Sequence, residues 1–177
     1  MKKRIMKAES GNGINRKKLI IICIIIAATL TVIWGHSFMS QEESAEESGF
    51  VFEFLKPFLE FFVGEGNATE LFVRKAAHFT EFFVLGFEWL IFMRTVVKDR
   101  ICSDEKKDKK TAAGVAAVRI VNAWFLGTMC AAVDETIQIF SGRGSSLLDV
   151  WLDSAGCLTA LLLSIPIFYC HFRHREP

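Results

Sequence analysis

Apolar residues run almost unbroken through four stretches of this chain, and the intervals between them are polar or charged. The first stretch, LIIICIIIAATLTVIWGHSFM, occupies residues 19–39. A helix of that length at ~1.5 Å per residue reaches roughly 31 Å, enough to cross the hydrocarbon core of a bilayer. Apolar runs at about 71–93, 112–139 and 149–169 predict three further spans. A basic start followed by an apolar run also describes a secretory signal, but no small-x-small cleavage site follows this one, which favours a retained anchor. After the first span, QEESAEES carries four glutamates and no cation. Residues 50–63 beyond it are too few to span, and Glu53, Lys56 and Glu60 recur at helical spacing along one side. With Pro57 inside it, this segment predicts a kinked amphipathic helix lying in the membrane interface, apolar face down. The expected fold is therefore all-α, an integral membrane bundle of four transmembrane helices plus a short amphipathic interfacial helix after the first span. Residues 1–18 form a basic N-terminal segment, 19–170 the transmembrane domain and 171–177 a short tail.

Composition agrees with a membrane protein and removes some alternatives. The 177 residues suffice for one domain, 51% are hydrophobic, and 17 are Phe against a single Tyr. The net charge of +1 gives no case for a nucleic-acid partner. Cys23, Cys130, Cys157 and Cys170 lie in or at the end of apolar runs and Cys102 in a charged loop, with no CxxC or Cys/His ligand spacing. They read as small apolar fillers or a free thiol, so neither a disulfide frame nor a metal or other cofactor is expected from them. The sequon Asn67-Ala68-Thr69 carries no weight by itself.

Charge segregation orients the chain. Seven Lys and Arg residues precede the first span, seven lie between spans two and three, and two follow span four, which together make sixteen of the 21. All fall on one side of a four-span topology. The positive-inside rule then places both termini in the cytoplasm, and QEESAEES and SGRGSS outside, in a multi-pass protein of the cell membrane. The charged connector KDRICSDEKKDKK reads as a solvated linker facing anionic lipid.

That topology sharpens the chemistry. Lys75, His78 and Glu81 occupy the first turns of span two, and Asp134, Glu135 and Gln138 the last turns of span three. Arg143 lies in the loop that follows, and Asp149 and Asp153 open span four. All nine fall in the outer half of the same membrane, although almost eighty residues of sequence separate the first from the last. An ionised group facing lipid near the bilayer centre costs about 2.5–3.5 kcal/mol even on the gentler scale, so these side chains should turn inward and satisfy one another. Residues three and four apart share a helix face, which makes Lys75 and His78 neighbours and stacks Asp134 with Gln138 and Asp149 with Asp153. Ala155, Gly156, Thr159 and Ala160 are small enough to let span four approach its neighbours closely. Five carboxylates against Lys75 and Arg143 leave the set at −3 with His78 neutral, more negative than a balanced structural ion-pair network would be.

Several chemistries suit this set. His78, Glu81 and Asp134 are the candidate catalytic residues, with His78 as general acid or base and a carboxylate orienting it. Lys75, Glu135, Gln138, Arg143, Asp149 and Asp153 are the candidate substrate-binding residues, Lys75 and Arg143 serving as an anion clamp. A receptor for a lipid head group, a proton-coupled path and a purely structural network are the alternatives. A divalent cation among His78, Glu81, Asp134 and Asp149 is a weaker fit, since one His with several carboxylates selects no metal sharply. Trp34 and His36 read as interfacial anchors, and Arg119 as snorkelling inward or pairing with Glu88.

Two blocks of sequence carry a family resemblance. KAAHFTEFFVLG is similar to the K-x-x-H-F-x-E-Y-x-x-L-G signature of VanZ-like membrane proteins, and DETIQIFSGRGSSLLDVWLDSAG resembles their second signature. The acidic, Ser-containing HSFMSQEESAEES is also typical, and the match runs from about Ile33 to Leu162. By position, the family's polar residues correspond to the nine named above. Phe82 stands where the family usually has Tyr, and Ser141 where a Pro often precedes Gly-Arg. The resemblance implies membrane lipids as surroundings and a lipid-linked cell-wall precursor or a lipoglycopeptide as partner. It also implies a contribution to teicoplanin-type resistance or another cell-envelope function, as for the family's namesake in Gram-positive bacteria. A membrane-embedded enzyme acting on a lipid-linked phosphate stays open beside these, as does the oligomeric state.

Overall fold

A computed structural model describes residues 16–64, 69–97 and 109–173. The basic residues 1–15, most of the connector after the second span, Asn67 and Ala68 of the sequon, Cys102, the side chain of Cys170 and the end of the tail lie outside the described residues. Among the described residues five α-helices follow one another: α1 Arg16–Phe38, α2 Gln41–Val63, α3 Glu70–Val96, α4 Lys109–Phe140 and α5 Leu147–Arg173. No strand occurs among the described residues. The protein is all-α, and α1, α3, α4 and α5 each contain a stretch long and apolar enough to cross a membrane.

α2 differs from the predicted helix by beginning at Gln41, about nine residues earlier than expected. Its start is a capping box. The Ser40 hydroxyl accepts from the Glu43 amide at 3.3 Å, and the Glu43 carboxylate accepts from the Ser40 amide at 2.8 Å. Hydrogen bonding by the Ser40 amide, and next by the Ser40 side chain, holds the Glu43 carboxyl below the usual carboxylate range. Glu42 and Glu43 also sit where the helix dipole favours negative charge. The run QEESAEES is thus the opening two turns of a helix. That helix passes through Pro57 and ends at Gly64, whose φ of 90° lies in the left-handed region that suits glycine. Phe50, Phe54, Phe58 and Phe61 form an exposed stripe along it, while Val51, Leu55 and Leu59 face the groove between α1 and α3.

The bundle centres on α3 and α5, which share the most extensive contact, with α4 packed against both and α1 against α3 and α4. α5 turns a stripe of small or short side chains inward: Asp153, Ser154, Gly156, Cys157, Ala160 and Ser164 are all buried. This lets two backbones nearly touch. A Cβ on Gly86 of α3 would lie 2.7 Å from the Cys157 carbonyl oxygen and 3.1 Å from the Ala160 Cβ. A Cβ on Gly156 would press on the Phe79 carbonyl. Such close approach is how helices associate where lipid supplies no hydrophobic driving force. Phe82, Leu85, Ile33 and Ala131 fill the space between α1, α3 and α4, each fully buried. Phe82 therefore belongs to an apolar cluster, where a tyrosine hydroxyl would need a partner of its own. Cys130 and Cys157 are buried free thiols, as fillers should be. Farther along the bundle from Asp134, Arg119 Nη2 donates to the Val97 carbonyl at 2.6 Å, and Glu88 accepts from Thr29 Oγ1 at 2.7 Å.

Gly156→Val should overpack the α3–α5 contact by about 1–3 kcal/mol, a drop of about 3–10 °C in the melting temperature of the detergent-solubilised protein. Gly35→Ala, with nothing within 4 Å of the added Cβ, should not lower it. Equal melting of Gly156→Val and wild type would contradict this packing.

Candidate functional site: a buried polar cluster beside an apolar groove

The antiparallel run of α3, α4 and α5 brings the first turns of α3 and α5 to the same end of the bundle as the last turn of α4 and the end of α1. Asp134 of α4 is the centre, with no exposed surface. Its Oδ1 accepts from the Ser37 hydroxyl of α1 at 2.6 Å, and its Oδ2 from Gln138 Nε2, one turn along, at 2.9 Å. Gln138 Nε2 also reaches Glu135 Oε1 at 3.2 Å, and Glu135 Oε2 accepts from the Ser146 amide at 3.0 Å. A carboxylate in helix α4 thereby ties down the loop that starts α5. His78 Nδ1 faces Glu81 Oε2 at 3.9 Å and Asp134 Oδ2 at 4.0 Å, in ion-pair range of both but beyond hydrogen-bond length.

Asp153 completes the group from α5. It is 1% exposed, and neither of its carboxylate oxygens has a hydrogen-bond partner among the described residues. One ligating atom each from His78, Asp134 and Asp153 lies within 4.8 Å of the others. One turn before His78 and Asp153 in their helices, Lys75 pairs with Asp149, linking α3 to α5 where both side chains are partly exposed.

The structure thus brings His78, Glu81, Asp134, Glu135, Gln138 and Asp153 together. Lys75 reaches across the bundle to the Asp149 carboxylate on α5. Arg143 is buried and donates through Nη1 to the His36 carbonyl at 2.8 Å, at the C-terminal end of α1, where helix carbonyls attract cations. Burial, with Arg74 nearby, pulls the Arg143 guanidinium below its ordinary range, opposed by Asp134 and Glu135. The two cations expected to clamp an anion therefore each hold a protein group.

His36 was expected to be an interfacial anchor. It instead meets Glu81 Oε1 through Nδ1 at 3.2 Å, and its Nε2 lies 3.9 Å from Glu47 of α2. Ser37 and Ser141 are further additions, the Ser141 hydroxyl donating to the Ser37 carbonyl at 2.8 Å. Their signal in the sequence was depth, since the HSF stretch ends span one at the level of the other nine residues. Glu81 has a second neighbourhood. It lines an apolar groove of about 560 Å³ enclosed by α1, α2 and α3, whose other walls include Ile33, Val51, Leu55, Leu59 and Val73.

A family profile described as VanZ/LLP1 matches residues 19–169. The chain belongs to the VanZ/LLP1 family. No curated protein and no solved structure matches it. The matched range takes in every residue of the cluster and all four membrane-crossing stretches, save the first residues of α1, so this VanZ/LLP1 protein is a multi-pass membrane protein.

Proposed function

We propose that this VanZ/LLP1 protein serves the cell envelope by engaging a lipid-anchored molecule at the outer membrane face. The apolar chain would lie in the groove beneath α2 and the polar head at the cluster. The observation that carries this reading is the position of Glu81, which lines the apolar groove and pairs with His36 at the edge of the buried polar set. An amphiphile needs such a boundary between an apolar trough and a few convergent polar groups. Lys75, Glu135, Gln138, Arg143, Asp149 and Asp153 would surround the head group, and a lipid-linked cell-wall precursor or a lipoglycopeptide has the required chemistry. A contribution to teicoplanin-type resistance would follow from holding either one. Both termini would lie in the cytoplasm, a reading supported by the sixteen cations gathered on one side of the topology.

A catalytic version of the same site is favoured by His78, whose Nδ1 faces two carboxylates without a hydrogen bond to either. His78 would then move a proton at the head group while Glu81 and Asp134 orient it.

Lipidomics of a deletion strain complemented with wild type, His78→Ala or Ala77→Trp tests both versions. Ala77→Trp fills the groove and should fail to complement. Under the catalytic version His78→Ala should lose turnover by about 10²-fold or more and leave the precursor at the deletion level. Unchanged lipids with altered teicoplanin susceptibility would select the receptor version, and full complementation by both variants at normal protein level would overturn the reading. For orientation, a cysteine introduced at Ser145 should react with a membrane-impermeant maleimide on intact cells. Reaction only after lysis would reverse the topology.

A further inference from the structure

Asp153 presents a physical problem that the lipid site does not solve. A carboxylate 1% exposed, with neither oxygen hydrogen-bonded among the described residues, is among the costliest arrangements a protein interior holds. Its neighbours do not relieve it. The other acidic groups at this end are Asp134, Glu81 and Glu135, while Lys75 is engaged by Asp149 and Arg143 by the α1 carbonyl. Buried charges persist when they are paired or coordinate a metal.

The orphaned oxygens point into a donor set. His78 Nδ1, also buried and without a hydrogen bond, Asp134 and Asp153 come from three different helices with ligating atoms within 4.8 Å of one another. A cation bonded at ~2.0–2.2 Å holds its ligands about 3–4 Å apart, so closing this set takes side-chain movement of about 1 Å. Each Asp134 oxygen accepts one hydrogen bond and keeps a lone pair. The Ser37 hydroxyl and the Gln138 amide that hold it are the kind of outer partners that orient metal-ligating carboxylates.

We propose that His78, Asp134 and Asp153 bind one divalent transition-metal cation beneath the outer membrane face. An imidazole with two carboxylates suits Mn²⁺ or Zn²⁺ better than the all-oxygen preference of Ca²⁺ or Mg²⁺. Three protein ligands leave positions for water or for oxygens of a bound head group, as in sites where a metal does chemistry. The cation site stands independently of the proposed lipid ligand, because it is read without any lipid-linked molecule present.

The test uses the full chain in detergent, freed of its affinity tag, stripped with EDTA and titrated with MnCl₂ and with ZnCl₂ by calorimetry, with the Mn²⁺ spectrum followed by electron paramagnetic resonance. Wild type should bind one equivalent saturably, and Asp153→Asn and His78→Gln should each weaken binding by at least about tenfold. Absence of saturable binding by wild type overturns the proposal even if neither variant folds. So does wild-type affinity in a folded Asp153→Asn protein. Cation binding with no lipid effect in the strains above would leave this site standing and remove the lipid reading alone.

Discussion

A carboxylate cannot be left facing hydrocarbon, and in this protein that rule organises one end of the bundle. Asp134 is wholly buried and is held by a hydroxyl from α1 and an amide from its own helix. Glu135, one residue on, holds the amide that begins α5. The loop between α4 and α5 folds back to serve the end of α1, with Ser141 and Arg143 taking up the carbonyls of Ser37 and His36. Gly142, at a φ of 74°, makes that turn possible. Three helices, α1, α4 and α5, are thereby joined through polar contacts that water would weaken and lipid does not.

Away from Asp134 the helices approach closely through Gly86, Gly156, Cys157 and Ala160, where dispersion between close backbones adds to hydrogen bonds such as Trp124 Nε1 to the Ser154 hydroxyl. Glu81 stands where the polar seam meets the apolar groove. α2 covers that junction while packing chiefly on α3. Ser48 joins it to Glu70 and Arg74 at the start of α3, and Glu47 approaches His36.

Much of this was legible in the chain because membranes impose strong rules. Apolar length gave the four spans, and depth alone gathered nine polar residues scattered over three spans and a loop. What remained hidden depended on contacts that neither rule encodes. The capping box of Ser40 and Glu43 is a readable signature, but the apolar residues that predict the helix begin only at Phe50. His36 looked like an anchor because an isolated His near a Trp at a span's end usually is one. The partner of Lys75 lies on another helix, and Arg143 serves a backbone carbonyl, so spacing along the sequence revealed neither.

The polar seam acts as a site only if its side chains form a physically coupled unit. The most direct measurement is a double-mutant cycle on Ser37→Ala and Asp134→Asn, with unfolding free energies obtained in lipid bicelles. Coupling of about 1 kcal/mol or more between these residues, 97 apart in sequence, is the predicted result. Additivity within about 0.3 kcal/mol would mean that the two side chains do not share a site.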